Sequence, residues 1–300
     1  MTAAPTSGPW LPRSACTPRC TADPAPAADP ALRRHRWRRL TGALAGAGVA
    51  ALRVPLTGAR GRRRLVVCAA ARLLTAAGVR VEVHASPVAW PVAGPRSGPL
   101  VVANSVSWLD ALALRTVVPG VPVVPREQAG RLVRRSGVVT VDRSRLRELP
   151  GTVAQVTALL AGGTAVTVQP EGATSCGAEL GRFRPAFFQA AVDAAAPVCP
   201  VAVRYRVDGG AASAVAASLA GEPPFRSLAR VVATRGLVVE VHLLPALDPA
   251  GADRRELAAL AEYAIAQVTE ARPPVVTAHP RRPRVPAPVR VRRPGAARAA

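Results

Sequence analysis

A chain of 300 residues with 49% hydrophobic content can bury the core of one α/β domain with appendages, which excludes a wholly disordered polymer. Its formal charge is +22, and all 40 basic residues are Arg. Aromatic residues are only 3%, too few for base-stacking platforms, so nucleic acid is the weaker candidate among anionic partners.

The charge is uneven. Residues 31–64 hold ten Arg and no acid, and residues 273–300 hold seven Arg and no acid. Such flanks suit an anionic membrane surface, at about 1 kcal/mol per Arg near the lipid. Residues 1–30 hold seven prolines and read as a disordered lead; residues 273–300, with seven more, read as a disordered tail.

Between these ends, residues 31–80 read as two basic, membrane-facing helices. Leu40 to Leu52 is uncharged and bounded by Arg39 and Arg53. It is shorter than the roughly 20 residues that a spanning helix needs, so an interfacial helix is expected, with a tilted span from Leu40 to Ala59 left open. The second helix falls at Arg62–Ala77. The expected location is the cytoplasmic face of the cell membrane, peripheral or interfacial.

Residues 81–272 read as the main domain. Short β-branched runs at Val79–His84, Leu100–Ala103, Val121–Val124, Val138–Val141, Ala165–Val168, Val198–Val203 and Leu237–Leu244 read as strands. Helical patterns alternate with them at Trp108–Val117, Gly130–Arg135, Thr152–Ala161, Pro185–Ala195, Phe225–Thr234 and Arg254–Ala271. This alternation predicts an α/β fold: a single domain with a mixed, mostly parallel sheet flanked by helices, preceded by the helical pair.

The five cysteines, Cys16, Cys20, Cys68, Cys176 and Cys199, are odd in number and irregularly spaced. Cys16 and Cys20 are close enough to chelate, but no second close pair completes a zinc site, so no metal is expected and a reduced compartment is the simpler reading.

Four strings at strand ends carry the chemistry. They are Asn104-Ser105-Val106-Ser107-Trp108-Leu109-Asp110, Gly137-Val138-Val139-Thr140-Val141-Asp142-Arg143, Gln169-Pro170-Glu171-Gly172-Ala173-Thr174-Ser175 and Ala196-Pro197-Val198-Cys199-Pro200-Val201. In this order they resemble the lysophosphatidate acyltransferase family of the glycerol-phosphate acyltransferase superfamily, over roughly residues 62–272. Pro125-Arg126-Glu127 is similar to the family's basic-acidic pair ahead of its second motif.

The resemblance implies acyl transfer from a thioester on coenzyme A or acyl carrier protein to a lysophospholipid such as 1-acylglycerol-3-phosphate, in phospholipid biosynthesis and without a bound cofactor. It also implies that the first motif's histidine takes the acceptor proton and its aspartate, here Asp110, orients that base. Arg143, Glu171 and Gly172, with Arg126, fall where the family holds the glycerol phosphate.

Position 105, where the family has its histidine, is Ser. A hydroxyl neither holds nor releases a proton usefully near neutral pH, whereas a positioned His contributes roughly 10²–10⁴-fold in rate. Thr140, Gln169 and Ala173 depart from the family as well. Of the four histidines, His35 and His279 lie in flanking segments, and His84 and His242 sit in or at the ends of strands. Three readings follow: an acyltransferase with impaired or altered chemistry, a non-catalytic lipid-binding or regulatory relative, and an acyltransferase for a lyso-aminolipid. Asp110 has a purely structural reading too, as a cap on the helix that it opens.

Overall fold

A computed structural model of the chain describes residues 14, 16–22, 25–53, 57–85, 97–118, 120–126, 129–130, 133–134, 137–219 and 221–271. The Arg- and Pro-rich tail, Glu127 and half of the helix expected at Gly130–Arg135 lie outside these residues.

Seven strands form one sheet: β1 (Arg80–His84), β2 (Leu100–Ala103), β3 (Val121–Pro125), β4 (Val139–Val141), β5 (Val166–Val168), β6 (Val198–Val207) and β7 (Leu237–Leu243). Their order is β1-β7-β6-β2-β5-β3-β4, and every neighbouring pair is parallel except β6 with β7. The sheet is thus mixed and mostly parallel, as the alternation of runs predicts. Helices cover both faces, so the central strands are apolar on both sides, and all four residues of β2 are buried.

One face packs α1 (Pro30–Arg53), α2 (Ala59–Ala77), α3 (Trp108–Val117) and α6 (Pro224–Ala233) over Val101, Ala103, Val201, Val203, Tyr205 and Val239. The other packs α4 (Leu149–Ala161), α5 (Phe188–Asp193) and α7 (Arg254–Thr269) over Leu100, Val102, Val166, Val198 and Ala202.

The helix limits follow local chemistry. The side chain of Asp253 caps α7, accepting from the Arg255 and Glu256 amides. Gly78, at φ +81°, ends α2 in the left-handed conformation that glycine adopts without strain. A Cβ there would stand 2.3 Å from the Arg36 guanidinium, so this close approach requires glycine on steric grounds as well.

Arg36 differs from the other Arg residues at the start of α1, which are exposed. Its side chain is buried, and Nη1 donates to the carbonyls of Val232 (2.8 Å) and Thr234 (2.6 Å), docking α1 on the end of α6. The last carbonyls of α6 would otherwise lack partners, and a guanidinium supplies donors along its fork.

The expected disordered lead is also corrected in its second half. The Ala28 amide donates to the Ala233 carbonyl (2.7 Å) and the Arg235 amide to the Pro26 carbonyl (2.8 Å), while Pro18–Thr21 form a 3₁₀ turn. Backbone pairing with the chain after α6 offsets the ordering of this Pro-rich stretch. No helix among the described residues is long and apolar enough to cross a membrane. On α1, Leu44, Val49 and Leu52 remain exposed.

Candidate active site

β2 and β5 are adjacent and parallel, so the loops at their carboxyl ends lie side by side. The first of these loops starts with a device that stops the strand. Asn104 continues the ladder with its side chain: Nδ2 donates to the Val203 carbonyl (2.9 Å) and Oδ1 accepts from the Val203 amide (2.7 Å). The main chain is thereby released from β6 and turns away at Ser105.

Asp110 closes that turn. Oδ2 accepts from the amides of Val106 (2.7 Å) and Ser107 (2.8 Å), and the Ser107 hydroxyl accepts from the Leu109 amide, which together make a capping box on α3. Oδ1 accepts from the Tyr205 hydroxyl at 2.5 Å. The carboxyl is fully buried, and burial pushes it up to about 6 against the pull of these three donors. Burial and the neighbouring Asp110 charge together hold the Tyr205 phenol well above its ordinary value. The structural reading of Asp110 as a helix cap is therefore realised in full.

Glu171 ties the second loop to the first. Oε1 accepts from the Ser105 amide (2.6 Å) and Oε2 from the Gly181 amide (2.7 Å). The Ser105 carbonyl in turn accepts from the Ser175 amide (2.9 Å), so position 105 is gripped on both sides by the 171–175 loop. Gly172, at φ +76°, makes the reversal that follows Glu171. Burial raises the Glu171 carboxyl to about 8, with the two amides opposing and the Asp110 charge adding to it.

Position 105 thus lies between two buried carboxyls, and both are committed to main-chain donors. Asp110 holds the amides of Val106 and Ser107, and Glu171 those of Ser105 and Gly181. His84 and His242 do not substitute. They pair across β1 and β7 and stack at 4.3 Å, and His242 stands opposite Ala202, on the sheet face away from Tyr205 and Asp110. Beside them Glu240 is ion-paired with Arg204 (3.0 Å) and Arg206 (3.1 Å).

Of the residues that the resemblance assigns to the phosphate, Glu171 and Gly172 lie in the 171–175 loop, and Arg143 and Arg126 follow other strands. Arg143 follows β4, the edge strand, which β3 separates from β5. Two strand spacings put these strand ends about 10 Å apart. Arg126, half-exposed at the end of β3, faces Asp142 (3.7 Å) and Glu148 (3.5 Å), which places it beside the Arg143 loop.

Several residues at the site carry no motif signal. Tyr205 lies beyond the fourth string; its clue is the inward alternation of Val201, Val203 and Tyr205, since a buried phenol must find a partner. Ser218 and Ser227 receive the Trp108 amide (3.3 Å) and indole N–H (3.1 Å), and Thr174 donates to the Ser218 carbonyl. These bonds tie the start of α3 to Ser218 and Ser227. Arg115 and Gln169 line a groove between α3 and β3.

The raised carboxyls predict a pH dependence. Glu171 titrates near 8 in the folded chain and near about 4.3 when unfolded, so the native state keeps a proton that the unfolded chain releases. The stability this contributes is complete below the unfolded value and is lost as pH rises through the folded one; Asp110 adds the same sign up to about 6. Thermal melting from about pH 5 to about pH 8 should show a falling midpoint, and Glu171→Gln should flatten the fall while lowering stability throughout. A midpoint that is flat or rising in the wild type over this range contradicts the reading.

The acyltransferase family model matches residues 80–204. The 1-acyl-sn-glycerol-3-phosphate acyltransferase of Neisseria gonorrhoeae is 31% identical over 201 residues, which are 65% of this chain and 76% of that protein. The lyso-ornithine lipid O-acyltransferase of Pseudomonas aeruginosa is 32% identical over 246 residues, 77% of this chain and 90% of that protein. The crystal structure of the 1-acyl-sn-glycerophosphate (LPA) acyltransferase PlsC from Thermotoga maritima has the same fold, with a TM-score of 0.59 at 19% identity, covering 80% of this chain and 94% of that one. On this identity and coverage, with the four strings in order on the same sheet, the chain belongs to the 1-acylglycerol-3-phosphate acyltransferase family.

Proposed function

We propose that the chain binds a lysophospholipid and an acyl thioester, on coenzyme A or acyl carrier protein, and transfers the acyl group slowly because position 105 offers no base. The observation that carries this reading is the site's division of labour. The loops that frame the acceptor position are intact and tightly bonded to each other, while the two carboxyls nearest Ser105 are spent on backbone amides. With no imidazole at position 105, an acceptor hydroxyl gives up its proton without the 10²–10⁴-fold contribution of a positioned base. Catalytic silence with lipid binding retained is the limiting case.

Arg143 and Arg126 form the anionic-headgroup end of this reading, because guanidinium groups suit phosphate through paired hydrogen bonds. Lysophosphatidate is the first acceptor to try. A lyso-aminolipid is the second, favoured by the likeness to the lyso-ornithine lipid enzyme over nine-tenths of that protein's length.

The test is a panel of lysolipids against purified protein with both donor types, reading binding and product separately. Saturable lysolipid binding with slow transfer is expected. Arg143→Ala should weaken lysophosphatidate binding by roughly 10- to 100-fold, the cost of a lost charged hydrogen bond. No binding to any lysolipid would overturn the proposal, and unchanged binding in Arg143→Ala would remove that residue from the site.

Attachment to the cytoplasmic face of the membrane belongs to the same proposal. The exposed Leu44, Val49 and Leu52 on α1, beside outward-facing Arg33, Arg34, Arg38 and Arg39, suit an interfacial helix with an electrostatic share. The protein should sediment with anionic vesicles and be partly released by high salt. Equal recovery in the supernatant with and without vesicles would refute this.

A further inference from the structure

We propose that Cys16, Cys20 and Cys176 form a three-thiolate site for a thiophilic divalent cation of the zinc type, which clips the N-terminal segment to the loop after β5. The fold brings together three thiols that are spread over 160 positions of sequence. Their sulfur atoms all lie within 4.8 Å of one another. Zinc at about 2.3 Å from each sulfur, in tetrahedral geometry, sets sulfurs about 3.8 Å apart, so closing on the ion needs a shift of about 1 Å or less.

One of the sulfurs already has an amide donor. The Cys176 amide donates to the Cys16 sulfur at 3.1 Å. Amide donors of this kind orient sulfur ligands and stabilise their charge. All three cysteines are half-buried, which shields the site while leaving the ion a path of entry. Three ligands leave a fourth position for water or a small anion.

A disulfide between two of the three is the competing chemistry. It would strand the third thiol and needs an oxidant to accept two electrons, whereas metal binding needs only loss of the thiol protons.

The site stands apart from the acyl-transfer reading but touches the same loop. Cys176 directly follows Ser175, whose amide holds the Ser105 carbonyl. The ion would therefore fasten the 171–176 loop, with Glu171 on it, to the segment that packs against residues 233–235.

The experiment uses the full chain, purified under reducing conditions and stripped with a chelator. Zinc is then titrated in, and bound metal is counted by mass spectrometry and by competition with a chromogenic chelator. One zinc per chain is expected. Cobalt substituted for zinc should show thiolate-to-metal charge-transfer absorption. Cys16→Ser, Cys20→Ser and Cys176→Ser should each weaken zinc binding on the order of 100-fold, while Cys68→Ser and Cys199→Ser keep the wild-type stoichiometry.

A wild-type measurement avoids dependence on variants that fold poorly. Alkylation mapped by peptide mass should find Cys16, Cys20 and Cys176 protected by zinc and reactive without it. Failure to retain zinc, protection that does not map to these three, or a reduced-and-stripped chain that instead loses two hydrogens to a Cys16, Cys20 or Cys176 disulfide overturns the proposal.

Discussion

Ser105→His should raise acyl transfer to a lysophospholipid by about 100-fold over the wild type, within the 10²–10⁴-fold that a positioned base supplies. The turn that would receive the imidazole is already built, because Glu171 holds the amide of position 105 and Asp110 closes the turn behind it. A carboxylate offers about four lone-pair sites, and three of those on Asp110 are taken by Val106, Ser107 and Tyr205. One remains to accept from an imidazole N–H and to fix its tautomer.

The gain should fall toward the lower end of the range for two reasons. The Tyr205 hydroxyl competes for Oδ1, and Thr140, Gln169 and Ala173 mark a pocket that has changed beyond position 105. Adding Tyr205→Phe beside Ser105→His removes the competitor and should raise the rate further. Initial rates with lysophosphatidate and one acyl donor decide the matter. Fast turnover in the wild type, unaltered in Ser105→His, would mean that another group or an ordered water takes the proton.

The largest effect on stability should come from Asp110→Ala, at about 3–5 kcal/mol. Truncation leaves the Val106 and Ser107 amides and the Tyr205 hydroxyl buried without an acceptor, and an orphaned buried donor costs about 1–3 kcal/mol. It also removes the carboxylate half of the capping box on α3. Tyr205→Phe loses a single hydrogen bond and leaves Asp110 two donors, so about 1–2 kcal/mol is expected. Urea unfolding midpoints at constant slope measure both. A loss below about 1 kcal/mol in Asp110→Ala would show that the turn stands without its cap. The size of the effect also bears on activity assays, because loss of turnover in Asp110→Ala reports on folding as much as on chemistry.

The α/β class, the approximate position of all seven strands and the family are legible in the sequence. They are so because strand and helix periods are local, and because the four strings sit at strand ends, where a parallel sheet gathers its loops. The sequence also shows that position 105 holds no imidazole, which no fold can change. The tertiary structure alone decided what the remaining residues do. Asp110 has two readings, the orienter of a base and a cap, and only the fold brings Tyr205, 95 residues away, onto its second oxygen. Nothing in the sequence marks Arg36 among its neighbours, and only the fold sets its guanidinium on the carbonyls of Val232 and Thr234. Arg143 and Glu171 follow strands in sequence, but only the sheet order shows β3 between them. Cys16 and Cys20 lack a third ligand until the loop after β5 delivers Cys176. Each of these outcomes depends on contacts between distant parts of the chain, set by how the sheet is threaded and by which buried polar groups must find partners, and neither leaves a periodic trace in the sequence.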